Sequence, residues 1–345
     1  MTAPAEADPP DADAPDESDE TAETTDGARR ATTTSRFGTS KRESHDASEF
    51  YDRFPAPKIL DDQAVADAGA VKDSVLLGDS RDLSAIPDGS IALVVTSPPY
   101  FAGKEYETTL GEGHVPASYV EYLEMLRDVF AECWRVLEPG GRIAVNVANL
   151  GRKPYRSLAG DIVTILQDDL GYLLRGEIVW IKGAGLNSSC AWGSYASASN
   201  PVLRDVTERI IVASKGRFGR ALTKRQREAR GLPFEDTISP DEFRELTIDT
   251  WRFAPESARR VGHPAPFPVE LPRRCIELFT FKGDTVLDPF GGVATVAVAA
   301  LQTGRHFVCI DADPEYVEKA RARVEATRAD RLTAPTTDRP TQESA

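Results

Sequence analysis

Thr96-Ser97-Pro98-Pro99-Tyr100 stands directly behind the apolar run Ile91-Ala92-Leu93-Val94-Val95. Two adjacent prolines fix φ at about −65° and remove two backbone donors, so the turn is stiff and offers carbonyl acceptors without a competing N–H. The Ser97 hydroxyl beside the Pro98 carbonyl suits gripping an amino group. Accepting from both of its N–H bonds pulls the nitrogen toward tetrahedral geometry and frees its lone pair. Tyr100 adds an aromatic face for stacking a flat ring, worth about 1 to 3 kcal/mol when that ring is a base. A plain strand-to-loop turn or an exposed proline-rich ligand is the alternative. The buried strand ahead of the turn favours a site, because ligands of open α/β sheets bind at the carboxyl ends of strands.

A second segment, Val286-Leu287-Asp288-Pro289-Phe290-Gly291-Gly292-Val293-Ala294-Thr295, runs from a strand through a glycine turn into a helix. Glycines let the backbone approach a nucleoside closely, and a helix start favours anionic groups. By itself this architecture fits a dinucleotide-binding protein equally well. The next strand, His306 to Ile310, ends at Asp311, placed either to accept ribose hydroxyls or to cap the helix opening at Pro314. A third segment, Lys215, Arg217, Arg220, Lys224, Arg225, Arg227 and Arg230, is basic in an otherwise acidic chain. It reads as a phosphate clamp and base reader or as a solvated helix face.

These segments need elements to position them. Strands are expected at Val75 to Leu77, Ile91 to Thr96, Arg142 to Ala148, Glu177 to Ile181, Arg209 to Ala213, Thr285 to Asp288 and His306 to Asp311. Helical spacing of Val120, Leu123, Leu126, Phe130, Trp134 and Leu137 predicts a helix over 118–137, closed by Glu138-Pro139-Gly140-Gly141. Further helices are expected over 158–170, 270–279, 293–303 and 314–326. The alternation predicts a doubly wound α/β fold with a mostly parallel sheet. The polar stretch 215–260 interrupts it.

The chain has 345 residues, 41% of them hydrophobic, enough for one large domain carrying a smaller insertion. No apolar run approaches the roughly 18 to 20 residues of a membrane span, and the N-terminus is polar and acidic, so a cytoplasmic protein is expected. Cys133, Cys190, Cys275 and Cys309 are scattered among apolar residues without a CxxC pair, as reduced packing residues and not a metal site. The net charge of −14 speaks against a polyanionic partner. Part of it sits on the acidic segment 3–23, expected to be disordered with the rest of 1–45, and 48–57 reads as a short docking segment. The scarcity of lysine beside arginine fits a high-salt cytoplasm, where binding of DNA would depend on close contacts.

Together, Ser97-Pro98-Pro99-Tyr100 and Asp288-Pro289-Phe290 with its glycines resemble the motifs of the amino-methylating DNA methyltransferases in their permuted beta arrangement, over residues 75–326. The resemblance implies a circularly permuted S-adenosylmethionine-dependent methyltransferase with a Rossmann-like, seven-stranded sheet. It implies that Ser97, Pro98, Pro99 and Tyr100 form the catalytic loop. Asp288, Pro289, Phe290 and Gly292, with Gly291 and Thr295 of the same turn, would hold the methionine part of the cofactor, Asp311 the ribose and Asp79 the adenine edge. His263-Pro264-Ala265-Pro266-Phe267-Pro268 matches the segment before the helix that completes the pocket, with Phe267 lining it. The basic stretch and Asn187 to Tyr195 fall where this family places target recognition. The implied division is 46–182 catalytic half, 183–260 target recognition, 261–328 cofactor half, and 329–345 a disordered tail. Where the family turn reads D-P-F-x-G-x-G-T-T, this chain has Ala294 and Val296.

No Pro-Cys dipeptide is present, which argues against covalent attack on a cytosine ring, and no His/Cys cluster suggests zinc deamination. Ser in place of Asp before the prolines leans toward cytosine N4 over adenine N6. The expected partner is double-stranded DNA with the target base flipped, and a short palindrome such as CTAG is a guess drawn from resemblance to methylases of salt-loving microbes. Without a nuclease-like segment the chain reads as a solitary methylase or the partner of a separately encoded restriction endonuclease. An RNA amino-methyltransferase, a nucleotide-binding oxidoreductase and an inactive DNA-binding module are the other readings.

Overall fold

The computed structural model describes residues 59–100, 118–149, 155–183, 193–203, 205–256 and 267–333. The expected acidic tail, the docking segment, Cys190, the Asn187 end of the recognition segment and His263 to Pro266 lie outside the described residues.

Eight strands form one sheet in the order β1-β8-β7-β2-β3-β5-β4-β6. They are β1 (Ser74–Leu77), β2 (Ile91–Thr96), β3 (Leu137–Val147), β4 (Leu173–Ile181), β5 (Thr207–Ser214), β6 (Thr250–Arg252), β7 (Thr285–Asp288) and β8 (His306–Asp311). The first five in spatial order are parallel; β5 is antiparallel to β3 and β4, and β6 runs parallel to β4. Every residue of β2 is buried, as a central strand covered on both faces requires. Alternate residues divide between two cores. Val94, Val145, Ile211 and Leu287 pack toward helices α1 (Tyr119–Val136) and α2 (Leu158–Thr164, continued by a π turn to Asp169). Leu93, Ala144, Ile210 and Val286 pack toward α5 (Glu270–Phe279), α6 (Thr295–Thr303) and α7 (Pro314–Thr333). The expected doubly wound sheet is present, with one strand more than the resemblance implies.

Several expectations change. Helix α1 starts at its Ser118 cap, whose side chain accepts from the Glu121 N–H, but it buries Tyr122, Leu126, Val129, Phe130, Cys133 and Val136. Val120, on the expected stripe, is 64% exposed. Glu138-Pro139-Gly140-Gly141 is no free turn: β3 begins at Leu137 and bulges against β2 between the Ile91 and Leu93 pairings. Gly140, at φ 78°, donates to the Lys215 carbonyl, and a Cβ there would lie 2.0 Å from the Gly219 carbonyl oxygen. The stretch 215–260 holds α3 (Lys224–Ala229), α4 (Pro240–Leu246) and the eighth strand, β6. The last helix reaches Thr333, past the expected end at Ala326 and into the tail expected to be disordered.

The basic stretch follows the carboxyl end of β5, where Ser214 pairs with Arg142 at the start of the regular part of β3. Arg209 pairs with Val147 at the other end, about 17 Å of strand away. Arg220 and Arg227 are buried in a cluster with Glu138 and Asp284: Arg220 reaches both carboxylates, and Arg227 Nη2 lies 2.9 Å from Asp284. Each ion is sheltered from water and needs its partners, so these two arginines are not available to phosphate. Lys215 donates to the carbonyls of Arg135 and Leu137, Arg217 to that of Leu60, and Lys224 pairs with Asp236.

Arg227→Ala leaves Glu138 and Asp284 buried with a partner missing. It is expected to lower unfolding free energy by about 3 to 5 kcal/mol in urea titrations. Because the lost charge is buried, the salt dependence of binding to a polyanion such as heparin should stay that of the wild type in the folded variant; a reduced slope would return Arg227 to an exposed anion-binding surface.

Candidate functional site

Because β2 and β7 are neighbours in register, Leu93 with Val286 and Val94 with Leu287, the segments following them emerge side by side. The Thr96 hydroxyl, at the end of β2, donates to Asp288 Oδ1 at 2.8 Å, and the Phe290 N–H donates to the same oxygen at 3.1 Å. The Ser80 hydroxyl, in the turn after β1, donates to the Pro289 carbonyl at 2.6 Å. From α1, the Tyr122 hydroxyl donates to the Pro99 carbonyl at 2.6 Å. Four parts of the chain are thereby locked around one cavity. Ser97, Pro98, Pro99 and Tyr100 line it on one side, and Phe290, Gly291, Gly292, Thr295 and Asp311 on the other. Asp79 and Phe267 complete the sequence-derived set on its walls, and Pro289 lies in the same turn.

Asp288 is placed differently from expectation. It is 1% exposed, lies beneath the cavity without lining it, and acts through Thr96 and Phe290. Burial pushes its carboxyl up to about 7, against the opposing donation from Thr96 and Phe290. Asp311 is also raised, by burial above all, while the N–H groups of Asp313 and Gly292 hold it down. Its Oδ2 accepts from Gly292 at 2.7 Å and its Oδ1 from Asp313 at 2.9 Å. Each oxygen keeps a further lone pair for a ligand hydroxyl. The helix cap belongs to Asp313, whose carboxylate accepts from Glu315 and Tyr316. Asp79 holds Arg81 at 2.9 Å.

A nucleoside fits this chamber on structural grounds. A Cβ at Gly291 would meet Cys309 Cβ at 3.1 Å and the Ile310 carbonyl at 3.2 Å, so a bare backbone is what lets the turn lie against β8 and leave space above. Ala294 takes the left-handed conformation, φ 59°, that the family's glycine would adopt freely, and it is fully buried. The helix start therefore keeps its geometry at the cost of local strain.

On the side of the Ser-Pro-Pro-Tyr loop, Ser97 Oγ lies 2.9 Å from Tyr100 Oη and donates to the Asn146 carbonyl at 3.0 Å. Tyr100 donates to Glu208 at 3.2 Å, and Asn146 Nδ2 donates to the same carboxylate at 2.6 Å. Asn146 Oδ1 is buried without a hydrogen-bond partner among the described residues, an orphan that a ligand donor would satisfy. Sequence reading quoted Thr96 without giving it a role and missed Asn146, Lys182 and Glu208. A signal existed for two of them: Asn146 interrupts an apolar strand, and Glu208 is a carboxylate beside the apolar run of β5. Met125 and Val129 of α1 and Tyr316 of α7 also line the cavity, brought there by helix packing alone.

The β4–β5 connection, residues 182–206, leaves the sheet at the site edge, because Ile181 pairs with Thr207 beside the carboxyl end of β3. Within it Gly193 bridges to Pro201, and Tyr195, Val202 and Leu203 are exposed. The basic stretch follows the opposite end of β5, whereas Gly193 to Tyr195, the described end of the other expected recognition segment, belong to this connection. Among the described residues no helix is long and apolar enough to cross a membrane, and no group of three or more His, Cys, Asp or Glu side chains is placed to hold a metal ion.

Residues 91–322 match the family model N6_N4_Mtase, described as DNA methylase. The chain is 30% identical over 273 residues to the Type II methyltransferase M.Cfr9I of Citrobacter freundii, covering 70% of this chain and 84% of that one. A DNA modification methylase of Thermus thermophilus, solved in complex with S-adenosyl-L-methionine, superposes with a TM-score of 0.56 at 28% identity over 73% of this chain and 95% of its own. The fold is also that of the PvuII DNA methyltransferase (cytosine-N4-specific), with a TM-score of 0.56 at 22% identity, covering 77% and 88% of the two chains.

The raised carboxyl of Asp288 predicts a stability profile. The folded protein holds this proton up to about pH 7, whereas an unfolded aspartate releases it near pH 4. Folded molecules therefore bind more protons across that window, and stability falls as pH rises through it, by about 4 kcal/mol at most. Asp288→Asn is expected to flatten the decline between about pH 4 and pH 7 in urea titrations. An unchanged slope would assign the proton elsewhere.

Proposed function

This chain belongs to the amino-methylating DNA methylase family, whose cofactor is S-adenosylmethionine, and from that premise we propose that it methylates the exocyclic N4 amino group of cytosine in duplex DNA. What supports the reading is a single observation: the Ser-Pro-Pro-Tyr loop and the glycine turn, distant in sequence, line one cavity. The finer choice of cytosine rests on Ser97 standing where an aspartate is the other option.

When bound, S-adenosylmethionine supplies a methyl group made electrophilic by its sulfonium. The chain's own residues do the rest. Asp311 would accept the ribose hydroxyls, Asp79 would face the adenine edge with Phe267 lining the pocket, and the Phe290-Gly291-Gly292 turn with Thr295 would receive the methionine part. The target base must leave the stack, since the cavity lies at the sheet edge with the loop inside it. Ser97 Oγ and the Pro98 carbonyl then accept from its amino group, concentrating electron density on nitrogen along the line of attack. Tyr100 offers its ring face while its hydroxyl stays tied to Glu208. Recognition of flanking bases falls to the β4–β5 connection, with Tyr195, Val202 and Leu203 exposed toward a partner. The protein serves either as a solitary methylase or beside a separately encoded endonuclease.

Incubation with methyl-labelled cofactor and genomic DNA, followed by nucleoside analysis, is expected to yield N4-methylcytosine. Label in N6-methyladenine would move the target to adenine, and label at cytosine C5 or in no nucleoside would reject the mechanism. A CTAG-containing duplex is the first defined substrate to test. Ser97→Ala should reduce kcat on the order of a hundredfold with cofactor affinity retained; an unaffected kcat removes Ser97 from the reaction.

A further inference from the structure

Glu208 sits at the start of β5, its side chain 12% exposed, and three donors converge on its carboxylate. Lys182 Nζ lies 2.9 Å from Oε1; Asn146 Nδ2 at 2.6 Å and Tyr100 Oη at 3.2 Å share Oε2. A group that faces three donors must be an acceptor at both ends, which a carboxylate is and a carboxamide is not. The consequence passes along the hydroxyls. Tyr100 has one proton, and Glu208 takes it. The 2.9 Å contact between Ser97 Oγ and Tyr100 Oη then runs from serine to tyrosine, and the other donation open to Ser97 is to the Asn146 carbonyl at 3.0 Å. In either case the Ser97 proton is directed among the protein's own acceptors. Its lone pairs are left for a donor entering the cavity.

We propose that Glu208 is a positioning residue that fixes the donor-to-acceptor direction of the Tyr100–Ser97 hydroxyl chain, so that the cavity accepts a base bearing an amino group and disfavours one bearing a carbonyl at the same position. The inference rests on the functional reading above and deepens it. A carbonyl oxygen in place of the amino group sets acceptor against acceptor at Ser97, and burying that unmatched pair costs free energy that the amino base does not lose. Glutamine at 208 satisfies Lys182 only by turning its oxygen there. Its amide N–H groups then face Tyr100, the tyrosine proton swings toward Ser97, and a serine lone pair is consumed. The effect is polar and directional, with almost no change of volume.

The test uses the full chain, wild type, Glu208→Gln, Tyr100→Phe and the double variant, in single-turnover methylation of a duplex that the wild type modifies. Two equilibrium readouts accompany it: cofactor affinity by calorimetry, and binding to that duplex against one with uracil replacing the target cytosine. Each single variant is expected to lose on the order of tenfold or more in rate, and the double variant to be no worse than the poorer single one, because both cut the same chain. Glu208→Gln should keep its cofactor affinity and lose most of the wild type's preference for cytosine over uracil. Additive rate losses, or an intact preference in Glu208→Gln, would overturn the role of Glu208. If Glu208→Gln melts early, Glu208→Asp carries the comparison: it still accepts at both oxygens and is expected to keep the preference, and a lost preference there would overturn the role of Glu208. A wild type that transfers no methyl group to a DNA amino group defeats the functional reading itself, a result distinct from additivity in an active enzyme.

Discussion

The hydrogen bond from Thr96 to the buried carboxylate of Asp288 joins the ends of two neighbouring strands that are 192 positions apart in the chain. Both groups are buried, where an unpaired polar atom would be expensive. The bond therefore holds the two loop origins at one separation. The rest follows from it: Ser97 and Tyr100 are displayed on one side and Phe290 with its glycines on the other. The turn after β1 and the first long helix add their own ties through Ser80 and Tyr122. Under the proposed function, walls tied together by these bonds would leave little ordering to be done when a donor nucleoside and an acceptor base bind.

Charge is divided between the two edges of the sheet. At the edge away from the cavity, Arg220 and Arg227 hold Glu138 and Asp284, joining the starts of β3 and β7 to the segment that follows β5. At the cavity edge, Lys182, Glu208, Asn146, Tyr100 and Ser97 form a polar chain that leads inward from the surface. The same residue types thus serve cohesion at one edge and, in the proposed function, substrate chemistry at the other. Strand direction decides which, since it determines the edge at which each loop emerges.

Most strands were legible because buried parallel strands are short apolar runs with sharp ends: β2, β7 and β8 fall where the sequence placed them. Helix α1 was legible in extent, but its buried stripe was displaced, because Val120 and Tyr122 compete as apolar residues and only packing against the sheet chooses Tyr122. The polar stretch 215–260 was given no bounded helix although Thr223 with Gln226 and Ser239 with Glu242 form capping boxes. Those signals sit ahead of helices of six and seven residues, too short to show an apolar period. The basic run was misleading for a related reason: a sequence shows charge but not burial, and Arg227 is as basic in a core as on a surface.

By itself the sequence determined the chemical vocabulary: a rigid acceptor turn behind a buried strand, a glycine turn ahead of a helix, and an acid closing the next strand. Each depends on residues adjacent in the chain, where proline, glycine and apolar runs act through local backbone geometry. Only the tertiary structure decided that the two turns face one chamber, that Asp288 braces it from below, that Glu208 and Asn146 join the Ser-Pro-Pro-Tyr loop, and that Arg220 and Arg227 belong to the far edge. Those outcomes depend on strand order and on which groups water cannot reach, and both are set by the packing of the whole sheet.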